Sequence, residues 1–197
     1  MTPASVRVFA ALELPAPVRR QLAEVGDHLR AALPPGSVRW VRPDGIHLTL
    51  QFYGEVERTR LPGLEAALTA AAATTGPLTL ALAGLGAFPN PARARVVWVG
   101  LSGDLDALRQ LQAAVAAGGQ ALGFPPEARG FQPHLTLGRV NQPLRPPDQR
   151  RLADALAAAQ VPPGAPFRGE TLSLLRSDLR PGGAVYTPLL AARLAGR

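Results

Sequence analysis

Apolar and polar positions follow two periods along this chain, and glycine and proline mark where one gives way to the other. Residues 6–14 alternate and stop at Pro15-Ala16-Pro17, which predicts a first strand. Val18, Leu22, Val25, Leu29 and Leu33 recur at three- and four-residue steps, so a helix follows until Pro34-Pro35-Gly36 ends it. A short extended piece at 38–41 leads through the turn Pro43-Asp44-Gly45 into a strand over 46–53, closed by Gly54. Residues 62–74 predict a helix stopped by Gly76-Pro77. Strands are expected at 78–83 and 95–101. A helix is expected over 104–117, ended by Gly118-Gly119. A strand at 131–140, a helix at 147–160 and strands at 171–177 and 185–194, joined through Pro181-Gly182-Gly183, complete the chain. Strands and helices intermix without a β-α-β rhythm opened by a glycine-rich turn. That favours an α+β fold with mostly antiparallel pairing over a doubly wound parallel sheet.

The 46–53 segment carries the first chemistry. Side chains of a strand point alternately to its two faces. Strict alternation puts Ile46, Leu48, Leu50 and Phe52 on a core face and His47, Thr49, Gln51 and Tyr53 on the other. An imidazole and a hydroxyl then stand roughly 6–7 Å apart along the strand. The 131–140 segment repeats this: Leu135 and Leu137 face the core, and His134, Thr136 and Gly138 share the opposite face. The copies read Ile-His-Leu-Thr-Leu and Pro-His-Leu-Thr-Leu, each central in its half of the chain. That suggests an internal duplication whose strands face across a shared cleft. A lone strand histidine is most often structural, but two of this chain's three histidines fall in one repeated pattern. His28, on the first helix beside Asp27 and Arg30, has no such partner and is expected on the surface.

Composition narrows the chemistry. The chain has 197 residues, which fits one domain or two small, tightly packed lobes, and its 47% hydrophobic content supplies a core. The 21 prolines and 20 glycines lie mostly between periodic segments, including Pro162-Pro163, and read as loop punctuation. Cysteine is absent, which removes disulfides, thiolate metal sites and a cysteine nucleophile. No apolar run approaches the roughly 20 residues needed to span a bilayer. The opening residues read as a strand rather than a signal peptide, so a soluble, cytoplasmic protein is expected. No association element is visible, and a monomer is the expectation. The net charge of +7 comes from arginine, whose planar fork suits phosphate, although arginine without lysine is also what a GC-rich genome produces.

Two histidines titrating near neutrality can divide acid and base duties without a metal. Opening a cyclic phosphodiester needs a base to deprotonate water and an acid to protonate the departing sugar oxygen. Thr49 and Thr136 can hydrogen-bond the non-bridging oxygens. Arg139 can clamp the same phosphate, although strict parity points it away from the cleft, so that it needs a bend, for which Gly138 is placed, or a side chain reaching round. Zinc is the competing use of paired histidines, but it wants three or four ligands and the third histidine is poorly placed. No metal and no cofactor are expected.

These residues resemble the 2H phosphoesterases, and most closely the RNA 2′,3′-cyclic phosphodiesterases, also called 2′-5′ RNA ligases. The resemblance rests on residues 8–14, on His47-Leu48-Thr49-Leu50-Gln51-Phe52-Tyr53-Gly54-Glu55-Val56, and on Phe131-Gln132-Pro133-His134-Leu135-Thr136-Leu137-Gly138-Arg139. It extends to Leu172–Leu175, Pro181-Gly182-Gly183 and Tyr186-Thr187-Pro188-Leu189. It implies one bilobal α+β domain over 1–197 with interwoven lobes, the motifs at 46–54 and 131–140. Two antiparallel sheets would line a basic cleft with pseudo-two-fold symmetry, helices packed outside. It further implies conversion of RNA-terminal 2′,3′-cyclic phosphate to 2′-phosphate without metal, with 2′-5′ ligation as the reverse reaction. His47 would lean towards the general acid and His134 towards the general base. Tyr53 stands where many members carry leucine, as a base contact at the cleft mouth or as a space-filler. Ala191-Ala192-Arg193 replaces a tryptophan often found near the C-terminus. The alternatives are a non-catalytic RNA-end-binding protein and a cyclic phosphodiesterase for a small nucleotide.

Overall fold

A computed structural model describes residues 4–128, 130–141, 143–159, 161, 165–180 and 183–196. Pro162, Pro163, Pro181 and Gly182, on which two loop expectations fall, lie outside the described residues. The strands are β1 (Ser5–Leu12), β2 (Val38–Trp40), β3 (Leu48–Glu57), β4 (Leu78–Phe88), β5 (Val96–Gly103), β6 (His134–Val140), β7 (Phe167–Gly169), β8 (Thr171–Arg180) and β9 (Gly183–Arg193). The helices are α1 (Ala16–Ala31), α2 (Leu61–Ala73), α3 (Leu105–Ala121) and α4 (Pro146–Ala158). No helix is long and apolar enough to cross a membrane.

The strands form two sheets, of order β3-β1-β8-β9 and β2-β6-β5-β4-β7, and every pairing is antiparallel. The α+β expectation holds. The chain passes back and forth between the sheets instead of finishing one before starting the other. Helices α2 and α3 pack on the outer face of the first sheet, and α1 and α4 on that of the second. The sheets meet where β3 lies against β6. Val8, Ala10, Leu12, Leu48, Leu172 and Leu174 point from the first sheet towards its helices, and Leu80, Val97, Val99 and Leu135 from the second towards theirs. Fully burying one such Leu or Val stabilises by about 1.5–3 kcal/mol.

Helix α3 departs from expectation. Gly118-Gly119 does not end it; it runs on to Ala121, and Gly123 follows in the left-handed region (φ 81°). A Cβ on Gly118 would stand 3.1 Å from the Ala67 methyl, and one on Gly119 2.8 Å from the Tyr53 ring. These glycines allow α2 and β3 to press against the helix, and that packing outweighs a helix-propensity penalty of roughly 1 kcal/mol per glycine.

Two bulges shape the strands that matter. Ala11 pairs with Thr49 and Ala10 with Gln51, so Leu50 is an extra residue on β3. Trp98 pairs with Thr136 and Val97 with Gly138, so Leu137 is an extra residue on β6. Each half of the chain therefore has its bulge at the second leucine of His-Leu-Thr-Leu. A bulge shifts the face of every residue beyond it.

Candidate active site

The inner face of the first sheet carries a small aromatic cluster apart from the main core: Phe9, Ala11 and Leu175, with Tyr186 packed on them. His47 joins it. Its ring lies 4.6 Å from Phe9 and 4.9 Å, edge-on, from Tyr186, measured between ring centres. Thr49 pairs with Ala11 and so shares this face. On the second sheet His134 pairs with Gly100 and Thr136 with Trp98. His134 meets the edge of Phe88 at 4.9 Å, and Phe88 lies 5.2 Å from Trp98. Trp98 lies across Gly86, where a Cβ would come within 2.3 Å of the indole.

Both imidazoles are held alike. His47 Nδ1 lies 2.8 Å from the Gly45 carbonyl and His134 Nδ1 2.7 Å from the Gln132 carbonyl, each two residues upstream. A carbonyl can only accept, so Nδ1 carries the hydrogen in both rings and Nε2 is left for chemistry. Burial pushes the His47 pKa down to about 4 against the opposing Gly45 hydrogen bond, and the charge of His134 lowers it further. β3, which follows His47, and β6, which begins at His134, are in contact. The threonine hydroxyls have no hydrogen-bond partner among the described residues.

The bulges revise the placement of five residues. Strict alternation fails beyond Leu50. Gln51 turns inward, 1% exposed under α3, and Phe52 turns to the inner face, 39% exposed and 5.3 Å from Phe9. Tyr53 follows Gln51 inward, where it packs edge-on against Phe124 at 5.6 Å. It is not a base contact at the cleft mouth; burial pushes its phenol well above the usual range. On β6 the bulge at Leu137 does what a bend at Gly138 was expected to do. Gly138 faces the core, where a Cβ would stand 2.6 Å from Val38, and Arg139 comes round to the face of Thr136. Arg139 and Arg7, from opposite sheets, both act on the Tyr186 phenol, drawing down a pKa that burial raises.

Sequence reasoning missed Phe9, Arg7, Tyr186, Phe52 and Trp98 as neighbours of the site. Tyr186 stood within a quoted segment, but only the β8–β9 hairpin shows that its ring caps His47. His28 is exposed on α1, as expected. Among the described residues no three His, Asp or Glu side chains are grouped to hold a metal ion.

Two tethered imidazoles, each two residues before a threonine on a strand's inner face, define a two-histidine phosphoesterase. The model of the LigT-like phosphoesterases matches the chain twice, over residues 12–98 and 99–186, with one motif in each segment, and the chain belongs to that family. It is 33% identical to an RNA 2′,3′-cyclic phosphodiesterase of Methanothermobacter thermautotrophicus over 96% of this chain and 99% of that one. It is 34% identical to one of Thermus thermophilus over 97% of this chain and 91% of that one. The crystal structure of TT0787 from Thermus thermophilus superposes with a TM-score of 0.76 at 33% identity, covering 96% of this chain and 98% of that one.

Proposed function

We propose that this protein opens RNA-terminal 2′,3′-cyclic phosphates to 2′-phosphates by acid–base catalysis between His47 and His134, without a metal ion. The observation that carries the reading is the matched tethering of the two rings, which frees both Nε2 atoms while each His-x-Thr pair stays on one inner face. Relatives similar over nearly the whole chain are named for the same substrate.

In the proposed reaction one imidazole takes a proton from water, whose oxygen attacks phosphorus. The P–O3′ bond breaks, and the other imidazole, as imidazolium, protonates the departing 3′ oxygen. The 2′-phosphate remains. Thr49, Thr136 and Arg139 donate to the non-bridging oxygens, where charge concentrates in the transition state. With a 5′ hydroxyl in water's place, the same steps join RNA through a 2′-5′ linkage.

His134 is assigned the base and His47 the acid. His134 has one aromatic edge beside it and is open to water, the molecule it must activate. His47 lies against Phe9 and Tyr186, which makes its imidazolium a strong acid. The anionic phosphate then favours the proton on His47, offsetting the burial that removes it.

The test is an oligoribonucleotide ending in a 2′,3′-cyclic phosphate, incubated with protein and EDTA, with the product's phosphate position mapped. Turnover to a 2′-phosphate is expected. A 3′-phosphate product or activity only with added zinc would overturn the mechanism, and binding without turnover would point to an RNA-end-binding protein.

A further inference from the structure

The second sheet ends at β2, and its register holds a pairing that folding alone does not explain. Arg39 stands directly opposite Arg139, flanked by the pairs Val38–Val140 and Trp40–Gly138. Directly opposed residues share a face, with Cβ atoms about 4.5–5.5 Å apart, and like charges so placed destabilise a sheet. Neither guanidinium has an ion pair or hydrogen bond among the described residues, and both are exposed. Some other arginines find carboxylates, as Arg30 does with Asp27, Arg109 with Asp106 and Arg176 with Asp178. Even Arg7, on the inner face of the first sheet, is registered opposite Glu55. No acidic side chain is registered opposite Arg39 or Arg139.

The face they share is the inner one. Trp40, the next residue along, turns the other way, to Arg30 of α1, which lies 5.6 Å from its ring centre. Val38 is buried in the core. Arg39 between them therefore projects with Arg139 and Thr136, one strand further from His134. A 2′,3′-cyclic phosphate lies at the 3′ end of its RNA, so the next phosphate belongs to the nucleotide on the 5′ side. With the cyclic phosphate between the histidines and Arg139, a second phosphate running towards the sheet edge meets Arg39.

We infer that Arg39 binds the internucleotide phosphate adjoining the cyclic end, so that the site recognises at least two nucleotides of RNA rather than a mononucleotide. A phosphate bound there also relieves the repulsion between the two arginines. The contact carries no base information; it adds affinity and orientation. This inference rests on the proposed function, because it takes its direction from the position of the cyclic phosphate.

Calorimetric titration tests it without turnover. The ligands are a nucleoside 2′-monophosphate and a dinucleotide ending in a 2′-phosphate, each bound to the wild-type protein and to Arg39→Gln. The wild type is expected to bind the dinucleotide at least about 10-fold more tightly. Arg39→Gln should remove most of that advantage while binding the mononucleotide as the wild type does. Its log-log salt slope for the dinucleotide should also fall by about 0.7, as for one single-strand phosphate contact. Equal weakening for both ligands, or for neither, would overturn the inference. So would a variant that loses the dinucleotide advantage with no change in salt slope. Hydrolysis of an oligoribonucleotide ending in a 2′,3′-cyclic phosphate by the wild type is followed separately. Its failure would count against the proposed reaction, whereas a wild-type dinucleotide advantage that survives Arg39→Gln counts against Arg39 alone.

Discussion

The two halves of the site begin from the same five-residue pattern and end in different environments. His47 and His134 are tethered through the same atom to the carbonyl two residues upstream. Leu50 and Leu137 bulge at the same place in the motif. The bulge brings the fifth residue after each histidine to the inner face, and that residue is Phe52 in one half and Arg139 in the other. Around His47 the result is an apolar wall of Phe9, Phe52 and Tyr186, while His134 has Phe88 beside it and Arg139 further along its strand. The duplicated backbone delivers two identical groups, and burial among unequal neighbours lowers the pKa of His47. One frame thus carries two histidines in unlike surroundings.

The comparison breaks most sharply if the histidines prove interchangeable. His47→Ala and His134→Ala should each lower kcat by at least about 10²-fold, the usual scale for losing one general acid or base. They should differ on a substrate whose 3′ bridging oxygen is replaced by sulfur, a leaving group that departs without protonation. His47→Ala should recover most of its loss on the sulfur substrate and His134→Ala little. Equal recovery would remove the division of labour, and recovery by His134→Ala alone would invert it.

Arg139 and Phe52 offer a second test, since they occupy one position in the two copies. Arg139→Ala should raise KM for the cyclic phosphate by about 10- to 100-fold, in keeping with about 1.5–3 kcal/mol for a hydrogen bond to a charged group. Phe52→Ala should change KM by less than about threefold on a substrate reduced to the nucleoside cyclic phosphate. A similar effect from both variants would mean that the bulges do not sort charge to one side of the groove.

Much of this was legible in the residues. The alternation around His47 and His134 fixed which leucines are buried, since Leu48, Leu50, Leu135 and Leu137 all face the core as parity requires. The repeat also pointed to a shared site. What could not be read was the bulge, because an extra residue leaves no mark when leucine stands on both sides of the threonine. Every error beyond the motif follows from that: Phe52 placed inward, Tyr53 and Gln51 placed outward, Arg139 placed on the wrong face. The glycines misled for a related reason. Gly118-Gly119 reads as a helix stop by local propensity, but its meaning lies in Ala67 and Tyr53, far away in the chain. The aromatic neighbours of His47 come from β1, β3 and β9, and no spacing within one segment announces them.

The smallest expected effect is on pH dependence, and it bears most directly on the environment of His47. Burial disfavours the imidazolium, so the His47 pKa lies near 4 instead of the ordinary 6.5. In the proposed mechanism the histidine pair carries one proton in all, whichever ring holds it. Activity is therefore lost at low pH only when a second proton is forced onto the pair, and the acid limb of kcat/KM in the wild type should fall near pH 4. Phe9→Leu opens part of the aromatic wall while keeping an apolar side chain in its place. Hydrating the ring favours its charged form, so the acid limb should move up by about half a unit to one unit, towards the ordinary value of about 6.5. The Gly45 hydrogen bond is retained in the variant, so any shift reports burial and not tethering. Proton NMR titration of the His47 ring in both proteins gives the same comparison without turnover, with the variant midpoint at the higher pH. A wild-type midpoint already near the ordinary histidine value would show that the aromatic neighbours do not separate the two histidines, and the asymmetry would have to come from Arg139 alone.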